Sequence, residues 1–432
     1  MDIEVTEQFR QVINLVETEN RNVFITGRAG TGKSTLLRYL RSITCKKAVV
    51  LAPTGVSALN VQGQTIHSFF RFKPDITLDK VKKIVRKDSD NIYQKLDTII
   101  IDEVSMVRAD LLDCVDRFLR LNCNRGSPFA GKQMLFFGDP YQLPPVITPV
   151  EEKIFKGRYS TGYFFSASVM QEISFEVLEL DRIFRQSDEG FITILNSIRN
   201  NTVTDALLEQ LNTRYMPQFE PDEDSFFISL TTRNDRALQI NENRLSRLHG
   251  NEFAFSAEIK GKFEKTTYPT DEVLRLKEGA QVMMLTNDPQ KRWVNGSIGK
   301  IERIIPESET IIIQLHGGKV IDVTPYEWDI FRYIYDEDAD RIETEQMGSF
   351  KQFPLRLSWA VTVHKAQGKT FDNVIFDIGY GAFTPGQVYV GLSRCASLDG
   401  LILKKKIRKR DIFIDSNVVN FMDSFKSPSM RS

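Results

Sequence analysis

The stretch Val23-Phe-Ile-Thr-Gly27-Arg28-Ala29-Gly30-Thr31-Gly32-Lys33-Ser34-Thr35-Leu-Leu37 decides how the rest of the chain is read. An apolar, β-branched run breaks into Gly27-x-x-x-x-Gly32-Lys33-Ser34, and Leu36, Leu37 and Leu40 then recur at helical spacing. The pattern predicts a strand, a phosphate-binding loop and a helix. Glycines let successive backbone N–H groups curl around a phosphate, and the positive end of the following helix points at the same place. Residues Gly27, Arg28, Ala29, Gly30, Thr31, Gly32 and Thr35 are thus the expected nucleotide cradle. Lys33 brings a mobile cation to the β and γ oxygens, and Ser34 offers a hydroxyl to Mg²⁺.

The second informative stretch is Thr98-Ile-Ile-Ile-Asp102-Glu103-Val-Ser-Met106. Its apolar residues predict a buried strand that delivers two adjacent carboxylates to its C-terminal edge. Strand geometry points these side chains differently, so Asp102 is expected in the Mg²⁺ shell and Glu103 facing an attacking water. Lys132-Gln-Met-Leu-Phe-Phe-Gly138-Asp-Pro-Tyr-Gln142-Leu-Pro-Pro145 predicts another buried strand ending in a stiff, proline-held turn. On that turn the Gln142 amide is placed to sense a γ-phosphate.

Between these motifs the chain is less decisive. Phe9, Val12, Ile13, Leu15 and Val16 predict a helix over residues 6 to 19, capped near Thr6. Gln8 on it is either a surface glutamine or an amide that reads a base through paired donor and acceptor. A buried strand is expected from Lys47 to Pro53, followed by Thr54-Gly55-Val-Ser-Ala-Leu-Asn60 and by Gly63-Gln-Thr65-Ile-His67-Ser-Phe69-Phe70. Small and hydroxyl-bearing residues after a parallel strand lie on the ligand edge of an α/β sheet, within reach of phosphates. Phe69, Phe70 and Phe72 beside Arg71 and Lys73 are either stacking groups next to cations or core rings. His67 has no histidine neighbour, which argues against a metal role. The charged segment Pro74 to Lys95, with Lys80, Lys82, Lys83, Arg86 and Lys87, is either a small insertion over a groove or a solvated helix face.

Composition bounds the answer without choosing it. At 432 residues the chain has room for about three domains, and 41% hydrophobic residues supply cores. Fifty-seven basic residues balance 57 acidic ones, so a polyanion must be met by local patches. The four cysteines show neither a C-x-x-C pair nor zinc spacing, as expected of free thiols in a reducing compartment. No signal peptide or membrane-spanning stretch is apparent, and the expected setting is intracellular, the cytoplasm or nucleoid if the source is bacterial.

The motifs, taken jointly and in order, resemble those of superfamily-one helicases. The set comprises Gly27 to Ser34, Ala52 to Asn60 with Thr65-Ile66-His67, Asp102 to Met106, and Gly138 to Pro145. The likeness is closest to the PIF-type (petite integration frequency) DNA helicases, and more distant to RecD-like enzymes. Val177 to Gln186 resembles the signature segment of that family, Arg356 to Thr370 its fifth motif and Gln387 to Cys395 its sixth. The resemblance implies ATP and Mg²⁺, Gln8 as the adenine-reading glutamine, and Arg185 and Arg394 as arginine fingers. A guanidinium supplied across a cleft spreads its charge over a loose phosphoryl transition state, making hydrolysis depend on closure. Gln367 and Gly368 of the fifth motif join the expected nucleotide contacts. The expected strand-gripping set is Pro53, Thr54, Gly55, Thr65, His67 and Phe69 in the first half, with Thr362, His364 and Lys365 in the second.

The expected fold is α/β: two tandem RecA-like parallel-sheet domains, each with an insertion. Residues 1–170 form the first, with a small insertion at about 68–95; residues 171–257 and 346–432 form the second. Within the second, a strand is expected at Asp224 to Leu230 and a helix from Arg233 to Leu248. Residues 258–345 break into short strands punctuated by Asn295-Gly296 and Gly317-Gly318, predicting a β-barrel-like insertion. Trp293 and Trp328 are expected at its core or rim, Asp336 to Asp340 in a solvated loop, and Lys404 to Arg410 on an exposed basic edge. The resemblance implies a monomeric 5′-to-3′ helicase acting on single-stranded DNA, single–double-strand junctions, forks, G-quadruplexes and RNA–DNA hybrids in genome maintenance. The rival reading is a nucleotide-gated single-stranded DNA-binding or remodelling module that hydrolyses ATP without separating strands. A nuclease would need a further carboxylate or histidine cluster, and none is apparent in the sequence.

Overall fold

Six strands with largely apolar sequence lie side by side in the first unit of this computed structural model. They are β1 (Val23–Gly27), β2 (Ala48–Ala52), β3 (Gln64–Thr65), β4 (Thr98–Ile101), β5 (Gln133–Phe137) and β6 (Glu176–Leu180). Their order is β3-β2-β4-β5-β1-β6, and every neighbouring pair is parallel. Every residue of β1, β4 and β5 is buried, as befits strands covered on both faces. The helix Lys33–Ile43 turns Leu36, Leu37 and Leu40 into a core shared with Val23, Ile25, Leu135 and Phe137. In consequence the turns that leave β1, β5 and β4 emerge from three adjacent strands.

The structure describes residues 5–84, 92–147, 152–155, 157–184, 186, 188–222, 225–379 and 381–425. Contacts divide the chain into two units, Met1–Phe184 with Ile330–Met347 and Asp415–Ser432, and Arg185–Asp329 with Gly348–Ile414. The first unit is larger than the sequence suggested. β6, expected in the second domain, pairs with β1 along its whole length, from Val23↔Glu176 to Gly27↔Leu180. The helix Ser416–Asp423 was also expected there, but Phe421 stacks on Phe165 at 4.3 Å and packs against Phe24 at 6.0 Å.

The open side of this sheet is closed by one side chain. β3 is only two residues long, and the Tyr333 hydroxyl accepts from Val50 N at 3.1 Å and donates to Val50 O at 3.3 Å. Tyr333 N also donates to Gln64 Oε1 at 3.3 Å. A two-residue strand leaves such groups exposed, and the tyrosine supplies what a longer strand would. The acidic run nearby is a solvated turn as expected, in which Asp336 accepts from the amides of Asp338 and Ala339 and Asp340 pairs with Lys47 at 2.6 Å.

In the second unit the strands Ala360–Thr362, Ile228–Thr231, Val374–Asp377 and Leu401–Leu403 form a four-stranded parallel sheet in that order. The helix Asn234–Arg247 packs on its first two strands. The strand expected from Asp224 begins at Ile228, and Asp224 lies outside the described residues. The insertion is a five-stranded antiparallel sheet made of Val320–Val323, Thr310–Leu315, Ile298–Ile305, Gln281–Met284 and Leu355–Leu357. Its limits differ from those expected, since residues 330–347 fall in the first unit. Phe253–Ser256 pairs with Val273–Leu276 ahead of residue 258, and Leu355–Leu357 supplies an edge strand beyond residue 345. Trp293 and Trp328 are both buried.

Replacing Tyr333 by Phe keeps the ring and removes both bonds to Val50. We expect a loss of about 1–3 kcal/mol, the cost of unsatisfied buried backbone groups, read as a lower urea midpoint. An unchanged midpoint means that water replaces the hydroxyl.

Candidate active site

The phosphate loop has the shape its glycines require. Gly27 adopts φ +149°, and a Cβ there would come within 2.6 Å of Leu180 O and 2.7 Å of Thr31 Oγ1. The helix that follows starts at Lys33 from Gly32 in the left-handed region, φ +88°. The Lys33 ammonium folds back on the loop, donating to Gly27 O at 2.6 Å and Arg28 O at 3.0 Å. Thr31 Oγ1 donates to Arg28 O at 2.9 Å, which closes the turn from inside.

Asp102 and Glu103 follow β4, with Asp102 N bonded to Leu51 O on the neighbouring strand at 2.8 Å. Asp102 is buried, and burial together with the adjacent Glu103 charge pushes its carboxyl up to about 7, opposed in part by Lys33. Such a carboxyl, beside a lysine and a phosphate loop, fits a divalent cation, which restores its charged form. Glu103 adopts φ +50°, in the left-handed region, directly after Asp102. After β5, Asp139 is 1% exposed and organises the third turn. It accepts from Tyr141 N at 3.2 Å and from Gln142 Nε2 at 3.1 Å, which fixes the direction of the Gln142 amide. Sequence reasoning passed over Asp139; its place three residues before Gln142 in a tight turn was the available signal.

Gln8 lies on the helix Glu7–Ile13, capped by Thr6 as expected. Its amide donates to Glu179 O at 3.0 Å and accepts from Asp181 N at 3.2 Å. These bonds use half of the amide's capacity, leaving an N–H and a lone pair to read a base edge. A second residue missed in the sequence is Phe184. Its N–H donates to Gly30 O at 2.9 Å, and its half-exposed ring lies under the Arg182 guanidinium at 4.8 Å. Arg185, read as a finger, lies outside the described residues, as do Arg86 and Lys87.

The expected strand-gripping residues divide by unit. β2 and β3 run parallel with Ala52 opposite Thr65, so Pro53, Thr54 and Gly55 emerge beside Thr65 and His67. Thr54 and Thr65 cap the short helices Gly55–Asn60 and Ile66–Phe70. His67 is half-buried, and burial followed by the nearby Arg108 lowers its pKa, keeping it neutral at pH 7. Phe69 is a correction. It is 5% exposed and packs edge-on against Phe70, Tyr93 and Tyr333, so its ring is core and presents no face to a base. In the second unit Thr362 ends a strand and accepts from Lys365 N at 3.4 Å, while burial lowers the pKa of His364. Gln367 and Gly368 follow on the same turn.

Arg394 is 1% exposed at the end of the helix Gln387–Leu392. It donates through Nε to Val390 O at 2.9 Å and through Nη2 to Ser393 Oγ at 2.8 Å. The basic run from Lys404 is largely occupied within its own unit. Lys404 donates to Pro217 O at 3.2 Å, Arg408 pairs with Asp411 at 3.0 Å, and Lys409 pairs with Asp205 at 2.8 Å. Lys405, Lys406, Arg408, Lys409 and Arg410 are nevertheless exposed, as expected of a basic edge.

A family model described as PIF1-like helicase matches residues 1–207. The ATP-dependent DNA helicase Pif1 of Bdellovibrio bacteriovorus is 32% identical over 98% of this chain and 93% of its own. The chain belongs to the PIF1-like helicase family. Among solved structures, Bacteroides sp Pif1 in complex with ADP-AlF4 is 36% identical with TM-score 0.91, covering 98% of this chain and 97% of that one. Bacteroides Pif1 bound to ssDNA, also 36% identical, matches with TM-score 0.70 over 99% and 98%. This PIF1-like helicase is accordingly an ATP-hydrolysing DNA helicase built on two RecA-like units. No helix among its described residues is long and apolar enough to cross a membrane.

The raised pKa of Asp102 carries a sign that can be measured. Because folding raises it, its contribution to stability is present below about pH 4 and is lost as pH rises through about 7. Without nucleotide or Mg²⁺, Asp102→Asn should therefore match the parent near pH 4 and melt several degrees higher at pH 8. Equal melting temperatures at pH 8 would show that Asp102 ionises without cost.

Proposed function

We propose that this helicase moves 5′ to 3′ on single-stranded DNA and separates duplex, forked, G-quadruplex and RNA–DNA hybrid structures, with a role in genome maintenance. The observation that supports it most is the adjacency of three turns on neighbouring strands: the phosphate loop after β1, Asp102-Glu103 after β4 and Asp139 to Gln142 after β5. That adjacency gives hydrolysis a cradle, a base and a γ-phosphate sensor in one place. Polarity and substrate range come from the family resemblance.

In this reading Lys33 neutralises the β and γ oxygens, and Glu103 takes the proton of the attacking water. Ser34 and Asp102 would hold Mg²⁺, which supplies charge neutralisation across the phosphates. Gln142 reports whether a γ-phosphate is present, and Gln8 selects adenine. Arg394 and Arg185 stabilise charge as the γ-phosphoryl group departs. Thr54, Thr65 and His67 in one unit, and Thr362, His364 and Lys365 in the other, grip the strand. A monomer in solution is sufficient for this cycle.

The test pairs ATP hydrolysis, with and without single-stranded DNA at a stated salt concentration, with unwinding of duplexes tailed at either end. We expect DNA to raise hydrolysis about tenfold or more, Glu103→Gln to abolish it, and only the 5′-tailed duplex to open. Hydrolysis that responds to DNA while neither duplex opens would favour a nucleotide-gated DNA-binding module instead.

A further inference from the structure

Within the second unit, the loop between the strands Ala360–Thr362 and Val374–Asp377 meets the antiparallel sheet at the turn Asn295-Gly296. The Lys369 ammonium donates to Asn295 Oδ1. Its methylene stem lies on Gly296, where a Cβ would come within 3.4 Å of Lys369 Cβ and 3.5 Å of its Cγ. Gly296 has φ +102°, so its backbone conformation calls for glycine there, and the Lys369 stem would meet a Cβ at ordinary van der Waals distance. The main chain of Lys369 reaches the other way, its carbonyl accepting from Arg394 Nη1 at 3.4 Å. A cavity of about 320 Å³ lies along this seam, lined by Asn295, Gly296 and His316 from the sheet and by Lys369 and Asp372 from the loop.

We propose that Lys369 is a positioning residue for ATP hydrolysis: its side chain lets the Asn295-Gly296 turn fix the Gly368-Lys369 backbone, which in turn orients the Arg394 guanidinium. This rests on the reading of Arg394 as a transition-state arginine. A guanidinium already oriented costs no reorganisation when charge develops, so the tie acts on kcat and leaves the KM for ATP alone. The charge on Lys369 matters because an ammonium makes a stronger bond to an amide oxygen than an amine does.

Burial, and after it the Arg356 cation on the neighbouring strand, lower the Lys369 pKa to about 8. The other charged groups around it are Arg394 and, across the cavity, His316 paired with Asp372 at 3.0 Å. Above that pH the tie loses its charge, and kcat falls.

The experiment measures DNA-saturated hydrolysis from about pH 6.5 to 9.5 for the parent and for Lys369→Met, Lys369→Arg, Asn295→Asp and Arg394→Lys. We expect Lys369→Met to lose about tenfold in kcat at neutral pH, with KM unchanged and no alkaline limb. Lys369→Arg should keep the rate and lack the limb, since its charge does not titrate in this range. Asn295→Asp, by pairing Lys369 with an anion, should move the limb to higher pH. Parental kcat and limb in Lys369→Met overturn the proposal; if that variant fails to fold, an unmoved limb in both Lys369→Arg and Asn295→Asp does so. An Arg394→Lys variant at full rate overturns instead the reading of Arg394 on which the proposal rests.

Discussion

The first unit depends on the parallel register of β4, β5 and β1. Ile100 pairs with Leu135, and Val23 with the same Leu135, so one residue of β5 sets the height of both neighbours. These strands are mostly apolar because both faces are covered. Charged chemistry is therefore displaced to the turns at their C-terminal ends. The phosphate loop, the carboxylate pair and the Asp139 turn each belong to a different strand, yet register alone makes them adjacent. A slip of one residue along β5 would exchange the faces of every side chain on it and separate the turns.

This dependence explains what was legible in the sequence. Gly27 to Ser34, Asp102-Glu103 and Gly138 to Pro145 are each local, with a run of apolar residues that announces the strand and a break that announces the turn. Thr6 as a cap was legible for the same reason. Long-range choices were not. β6 carries the mixed pattern Glu176-Val-Leu-Glu-Leu180, which fits an edge of either sheet, and only its pairing with β1 assigns it. The helix Ser416–Asp423 gives no signal of its partner until Phe421 meets Phe165.

Aromatic residues were the hardest to place. Phe69 next to Arg71 has the local pattern of a base-stacking group, yet Phe70, Phe72, Tyr93 and Phe118 gather from three segments into one cluster that absorbs it. Tyr333 carried no signal at all, because its role is to complete the hydrogen bonds of a strand 283 residues away. Such residues act through what they touch in space, and a window along the chain does not contain their partners.

Lys33 and Arg394 show how each unit accommodates a cation. Each is turned onto carbonyl groups of its own unit, Gly27 and Arg28 for Lys33, Val390 and Lys369 for Arg394. A buried cation with no acceptor would be far more costly than these internal bonds. On the proposed reading, a phosphate at Lys33 would exchange hydrogen bonds instead of creating them, and the net gain would be the difference between a carbonyl dipole and a phosphate charge. That difference grows with the negative charge on the ligand. On the proposed role of Lys33, a triphosphate would displace it from its carbonyls more completely than a diphosphate, so the same internal bonds would help distinguish the nucleotide before hydrolysis from the one after it.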